Sequence, residues 1–344
     1  MSSEKQIFWF EELEEKHNDI VGKKCANLGQ MVHLGMPVPP GFAISIELYR
    51  RFLDLSGAAK EMRSYADELG DLKGVGIGTF DEVSRRLQDI IEEKDMPAEV
   101  RDPILRYYEE LCERLDMQDA SVSVRSAGTE SRPGMFETYL NVIGATDLLE
   151  KIKKVWASAY TPRAVAFRVN KGFPLIGDEL GVAVPKMVNS RSSGVSFTVD
   201  PVTGDDTRII LEANWGLGEG VVSGSGSVDG FVVEKETLAI VNRHIGQKTR
   251  CVVNREKGAE WVDVPEKMQH IPCLADEEVL EIVKTGITVE KRLGCPQDME
   301  WAVDGDLPFP KNIFWLQTRP AKVQVKKPVS TTDQIIDLLA KRYQ

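Results

Sequence analysis

Charged residues of matching chemistry stand near the two ends of this chain. Any fold that uses them together must bring the chain back on itself. Near the start run Gly22-Lys23-Lys24-Cys25-Ala26-Asn27-Leu28 and, further on, Val124-Arg125-Ser126. Near the finish run Asp298-Met299-Glu300-Trp301 and Leu316-Gln317-Thr318-Arg319-Pro320. The early pair offers cations, which phosphate oxygens attract. The late pair offers a carboxylate, an amide oxygen and a guanidinium. Magnesium takes hard oxygen ligands, commonly carboxylates together with phosphate oxygens. The late trio therefore suits a metal-bound polyphosphate.

With 344 residues the chain is long enough for more than one packed unit. Its formal net charge of −11 argues against broad nucleic-acid binding, which rests on phosphate neutralisation. It leaves room for a small polyphosphate, because a few local cations in a pocket suffice. Cys25, Cys112, Cys251, Cys273 and Cys295 are scattered, without a Cys-x-x-Cys spacing. With no signal peptide ahead of them, they read as reduced thiols of a cytoplasmic protein. His17, His33, His244 and His270 do not combine with them in zinc-ligand patterns. No apolar run approaches the roughly 20 residues of a membrane span.

Periodicity predicts a helix over Ala26 to Leu34, stopped by Gly35 and kept from resuming by Pro37, Pro39 and Pro40. A second helix is expected over Ile46 to Leu55. A charged helical stretch follows from Ala58 to about Arg114, interrupted at Gly74-Val75-Gly76-Ile77-Gly78. Strands at Ser121 to Val124 and Thr138 to Val142 flank a polar loop over Ala127 to Phe136. One helix is expected over Ile152 to Asn170. Strands follow at Gly181 to Val188, Gly194 to Val199, Arg208 to Glu212, Gly230 to Val233, Val252 to Val253 and Ile313 to Gln317. Asp200 to Gly204 reads as a turn, Gly216 to Gly226 as a glycine-dense loop, and Asp276 to Leu293 as a helix. After Lys322 a linker leads to an amphipathic helix over Thr331 to Tyr343.

Lys24, on the N-terminal side of a helix, could serve phosphates as a point charge, and a solvated surface lysine is its plainer reading. Arg125, between an apolar strand and a polar loop, suits phosphate oxygens, with a structural ion pair as the alternative. Gly134 would let backbone approach a phosphate, and Thr138 adds a hydroxyl. Gly216-Leu217-Gly218-Glu219-Gly220 fits neither the Walker A nor the Rossmann spacing. Glu300 and Gln317 fall at the ends of two strands that could pair. Arg319, two residues beyond Gln317, points to the same side of its strand.

These segments resemble the ATP-binding portion of the phosphoenolpyruvate synthase and pyruvate phosphate dikinase family. The likeness lies in Gly22 to Leu28 with Met36-Pro37-Val38-Pro39-Pro40-Gly41-Phe42, in Val124-Arg125-Ser126, in Ser193-Gly194-Val195-Ser196-Phe197-Thr198 with Asp200-Pro201, and in Pro296 to Trp301 with Gln317-x-Arg319-Pro320. It runs from about residue 7 to 322. The resemblance implies an α+β, ATP-grasp fold with ATP between two lobes. Residues 1–188 would form the first lobe, with a helical insertion at about 58–114. Residues 189–322 would form the second, and 323–344 a linker and helix. It implies that Lys24, Arg125, Gly134 and Thr138 contact the nucleotide and its phosphates. Glu300 and Gln317 would hold magnesium, and Arg319 the terminal phosphate. The spacing around Arg132-Pro133 looks more like the dikinase branch.

At the adenine edge, where relatives commonly place Gln before Arg/Lys-Met, this chain has Pro185 before Lys186-Met187. Proline supplies neither the amide nor an N–H. Full-length relatives continue into a domain with a phosphorylated histidine. No histidine here sits in a context like Thr-Ser-His-Ala. The expectation is a transferase subunit that uses Mg-ATP to phosphorylate a histidine on a separate partner subunit, in a hetero-oligomer, with phenol, pyruvate or another small molecule as final acceptor. The competing class is a nucleotide-sensing subunit without turnover. Retention of Glu300, Gln317 and Arg319 together argues against it.

Overall fold

The computed structural model describes residues 5–70, 72, 74, 76–130, 135–177, 179–222, 227–255 and 258–323. The expected tail helix, Thr331 to Tyr343, lies outside them, as does Gly134. The chain mixes helices and sheets and divides into two units. The first comprises Met1–Arg191, Val252–Val262 and Ala302–Gln317, and the second Ser192–Cys251, Asp263–Trp301 and Thr318–Gln344.

The first unit opens with β1 (Ile7–Trp9), α1 (Asn18–Val21), α2 (Lys23–His33), β2 (Gly41–Ile44) and α3 (Ile46–Leu55). Three helices follow: α4 (Ala58–Leu69), α5 (Ile77–Glu92) and α6 (Ala98–Arg114). Then come β3 (Val122–Ala127), β4 (Thr138–Val142), α7 (Ala145–Ala157), α8 (Pro162–Lys171) and β5 (Gly181–Pro185). The five strands form an antiparallel sheet of order β1-β2-β5-β3-β4. One side of it carries Phe42, Ile44, Val122, Val124, Val182 and Val184 into a core shared with α3 to α7. Val83, Leu87, Ile104 and Leu111 of α5 and α6 belong to that core, so the helical stretch is part of the unit's interior.

Local chemistry explains the element ends. Ser45 Oγ accepts from Leu48 N at 3.2 Å and starts α3. The buried stripe of α3 includes Tyr49 and Phe52, whose rings stack on Trp156 of α7 at centroid distances of 5.3 and 5.1 Å. The single helix expected over Ile152 to Asn170 is broken. Pro162 opens α8 at its first turn and Thr161 caps it, accepting from Ala164 N.

The second unit contains most of a six-stranded sheet. Its strands are β6 (Ser190–Phe197), β7 (Arg208–Trp215), β8 (Asp229–Glu234), β9 (Ile240–His244), β12 (Gln297–Asp304) and β13 (Ile313–Pro320), in the order β13-β12-β6-β7-β8-β9. A separate pair, β10 (Arg250–Asn254) and β11 (Ala259–Asp263), precedes the short α10 (Glu266–Gln269). Helix α9 (Glu219–Val222) follows β7, and α11 (Asp276–Leu293) precedes β12. Gly286 of α11 lies against Ile209, Thr198 and Met299; a Cβ there would meet the first two at 3.4 Å. A methyl group would just fit at that point, and a larger side chain would crowd the helix against its sheet. The motif around Asp200 is structural: its Oδ1 accepts from Val202 N and Thr203 N at 2.8 and 3.1 Å, closing the turn.

Candidate functional site

Arg125 lies inside β3, paired with Thr138 of β4 and Ala183 of β5, rather than at a strand's end. Residues directly opposite in an antiparallel ladder point to the same side. Arg125 and Thr138 therefore stand together on the side of the sheet opposite the large core. Ala43, paired with Ala183, and Gly41 pave that side with small groups. Both Arg125 and Thr138 are half-buried.

The start of α2 comes down on the same side. A Cβ on Gly22 would lie 2.0 Å from the Ala127 carbonyl oxygen, and one on Gly181 would lie 2.2 Å from that of Val21. Lys23 N donates to Gly128 O at 2.9 Å. Lys24 is thus the second residue of a helix clamped to the end of β3, with its side chain exposed. A helix N-terminus favours negative charge through its N–H groups and its dipole. The next residue, Cys25, is fully buried. Burial pushes its thiol well above the ordinary cysteine range, and the neighbouring Lys24 charge opposes that only in part. Cys25 is therefore an anchor for α2, not a nucleophile.

Gly22 is the hinge of this arrangement, at φ +83°. Gly22→Ala should cost about 1–3 kcal/mol through backbone strain and the clash with Ala127. Urea denaturation measures it, and a stability within about 0.5 kcal/mol of the parent would contradict the clamp.

The loop after β3 leads back to Thr138 under restraint. Thr161 Oγ1 donates to Met135 O at 3.2 Å, and Glu137 N donates to Ser158 Oγ at 3.1 Å. Gly134 lies outside the described residues. Beyond β5, Lys186 N donates to Pro40 O and Met187 N to Ser121 O, each at 2.8 Å. The Lys186 ammonium turns to the Met187 carbonyl at 3.1 Å. Pro185 pairs with Gly41 as the last residue of β5.

The second group sits on β12 and β13. Glu300 and Gln317 are interior residues of these strands, not the terminal ones expected, because both strands continue beyond the sequence pattern. Met299 and Trp301 are fully buried, so alternation turns Asp298 and Glu300 the other way. Arg319 Nε donates to Oδ2 of Asp298 at 2.8 Å, and its Nη2 forms an ion pair with the same oxygen at 2.7 Å. Gln317 lies two residues before Arg319, on the same side of its strand. On the opposite side, Thr318 Oγ1 donates to Gln297 Oε1 at 3.0 Å. Asp298 was passed over by sequence reasoning, although the i, i+2 step to Glu300 was available to flag it.

Behind these strands Gly194 is indispensable to packing. A Cβ there would meet Glu212 O at 2.1 Å and the Trp301 ring at 2.5 Å. Ser193 Oγ donates to Gly216 O at 2.7 Å and so ties β6 to the start of the glycine-dense loop. Gly224 and Gly226 lie outside the described residues. Among the described residues no cluster of three or more His, Cys, Asp or Glu side chains forms a metal site by itself. All five cysteines are free. No helix among the described residues is long and apolar enough to cross a membrane.

Comparison with known proteins places these residues in a family. A profile described as "Pyruvate phosphate dikinase, AMP/ATP-binding domain" matches residues 18–338. A probable phosphoenolpyruvate synthase of Methanocaldococcus jannaschii is 38% identical over 328 residues, covering 92% of this chain and 27% of that protein. The phosphoenolpyruvate synthase of Pyrococcus furiosus is 37% identical over 367 residues, covering 91% of this chain and 43% of that protein. The probable phosphoenolpyruvate synthase of Staphylothermus marinus is 37% identical, with 91% and 41% covered. The chain thus spans less than half the length of these relatives. It belongs to the pyruvate phosphate dikinase and phosphoenolpyruvate synthase family, whose ATP-binding domain it carries.

Proposed function

We propose that this chain is the ATP-binding part of a phosphotransferase that uses Mg-ATP to phosphorylate a histidine on a separate partner subunit. The observation that carries the reading is the placement of Arg125 beside Thr138 on a sheet side paved by Ala43 and Ala183, with the start of α2 clamped to the end of β3. The small groups let the start of α2 pack closely on the sheet beside Arg125, and the permanent charge of Arg125 suits phosphate oxygens. Lys24 adds a second cation, and Gly134, outside the described residues, is proposed as the glycine that lets backbone approach a phosphate. In the ATP-grasp arrangement proposed for this fold, two lobes hold the nucleotide. Lys186 lies at the adenine edge, where Pro185 removes one means of reading the base.

On β12 and β13, Glu300 and the Gln317 amide oxygen are hard donors, while Asp298 is engaged with Arg319. That donor chemistry fits magnesium. When bound, the ion offsets charge on the phosphoryl oxygens. Arg319 takes the terminal phosphate, and Lys24 and Arg125 lower the repulsion that an incoming nucleophile meets. A partner imidazole attacks the β-phosphorus, AMP leaves, and the histidine carries a pyrophosphoryl group. Water then releases orthophosphate and leaves phosphohistidine for the acceptor. This chain's share is positioning and charge, not covalent chemistry.

For the acceptor we favour phenol, which makes the chain the ATP-binding subunit of a phenylphosphate synthase working in the cytoplasm as a hetero-oligomer. Pyruvate is the second reading, favoured by the names of the relatives. The test is incubation with β-labelled ATP and the histidine-bearing protein that co-purifies with this chain. Label held on a partner histidine, then discharged to phenol or to pyruvate, supports transfer and decides the acceptor. ATP binding with no label transferred to any protein refutes catalysis and leaves a nucleotide sensor.

A further inference from the structure

Asp298 grips Arg319 along one edge of the guanidinium. Nε donates to one carboxylate oxygen at 2.8 Å, and Nη2 lies 2.7 Å from the same oxygen in an ion-pair contact. Among the described residues the Nη1 end makes no hydrogen bond. The carboxylate is the more enclosed partner, with its side chain 12% exposed against 40% for Arg319. An ion pair this open to water contributes little to folding. A grip on the Nε edge nevertheless fixes the plane and direction of the guanidinium, and so aims its far end. Neighbouring Met299, fully buried, holds the Asp298 backbone still.

We infer that Asp298 is a positioning residue, which orients Arg319 toward the terminal phosphate of ATP. The inference rests on the reading that Arg319 serves that phosphate. It adds that a pre-aimed guanidinium meets the anion without first losing side-chain freedom. Asp298 also places a negative charge beside the cation. Its removal therefore changes electrostatics as well as direction, and the experiment must separate the two.

Asn at 298 keeps an acceptor oxygen and loses the charge, whereas Ala loses both. Calorimetric titration of this chain with Mg-ATP and with Mg-AMP compares Asp298→Asn with Asp298→Ala, each with Arg319 present and with Arg319→Ala. The expected result is Mg-ATP affinity about tenfold weaker in the Ala variant than in the Asn variant. Mg-AMP affinity should be equal in the two. The Asn–Ala difference should vanish once Arg319 is removed, as a coupled pair requires. A merely structural Asp298 would weaken both nucleotides alike. Equal Mg-ATP affinities for the Asn and Ala variants overturn the inference, as does a difference that survives Arg319→Ala. If Arg319→Ala alone binds Mg-ATP like the parent, the reading of Arg319 falls and this inference with it. Selective loss in Arg319→Ala beside an indifferent Asp298→Ala sinks only the inference.

Discussion

Asp229→Ala should destabilise the second unit by about 3–5 kcal/mol, the cost of stranding a buried charge. Asp229 and Lys248 are both fully buried, with Lys248 Nζ 2.5 Å from Asp229 Oδ1. The carboxylate gathers three segments. It begins β8, accepts from Gly246 N at 3.1 Å, and accepts from Cys273 N at 2.8 Å on the approach to α11. Among the described residues the Lys248 ammonium has one other hydrogen bond, to Gly246 O at 3.1 Å. The two single substitutions are therefore unequal. Lys248→Met leaves Asp229 with two backbone N–H donors, so its cost should fall near the lower end, about 3 kcal/mol. Asp229→Ala leaves an ammonium with a single carbonyl and orphans two buried N–H groups, each worth about 1–3 kcal/mol. Combining Asp229→Ala with Lys248→Met removes the stranded ammonium but not the orphaned N–H groups. The double variant should be more stable than Asp229→Ala alone and less stable than the parent. Urea denaturation of the four proteins measures this. Simple addition of the two single effects would show that the pair is not coupled. Against a typical total of about 5–15 kcal/mol, Asp229→Ala takes a large share.

No feature of the sequence marked Lys248, and the reason is physical. Before folding is known, a lysine reads as solvated, and only the surrounding carbonyl and carboxylate make its burial tolerable. Elements with strong local signals were legible instead. The expected bounds of α3, α11 and β4 coincide with the observed ones, since each combines a regular apolar period with a clear stop. Gly294, at φ +71°, ends α11 as a left-handed glycine should. Strands β9 and β11 were missed because their residues are largely exposed or half-exposed, so no alternation appears. Pairing order was not legible either. β5 lies between β2 and β3 although it follows both in sequence, and local pattern carries no information about that insertion. The site residues divide in the same way. Lys24, Arg125 and Arg319 were visible as chemistry in a motif. The grip of Asp298 on Arg319 became visible only when two strands met.

Arg319→Ala should lower phosphoryl transfer about 10²–10³-fold, the loss typical of removing one donor aimed at developing charge. That corresponds to about 2.7–4 kcal/mol of transition-state stabilisation. Its effect on folding should be far smaller, since exposed ion pairs contribute about 0–1 kcal/mol and the Arg319 side chain is 40% exposed. The two magnitudes separate a functional role from a structural one: activity should collapse while the urea midpoint hardly moves. Arg319→Lys sharpens the point. Lysine keeps the charge but has no Nε edge for Asp298 to hold. If charge alone mattered, the Lys variant would transfer at nearly the parental rate. If direction matters, it should recover only part of what Ala loses, with transfer still about tenfold or more below the parent. The rate of label transfer from β-labelled ATP to the partner histidine measures all three proteins. Transfer by the Ala variant at the parental rate, in a protein that still binds Mg-ATP, would remove Arg319 from the reaction. It would leave the ion pair with Asp298 a purely structural contact.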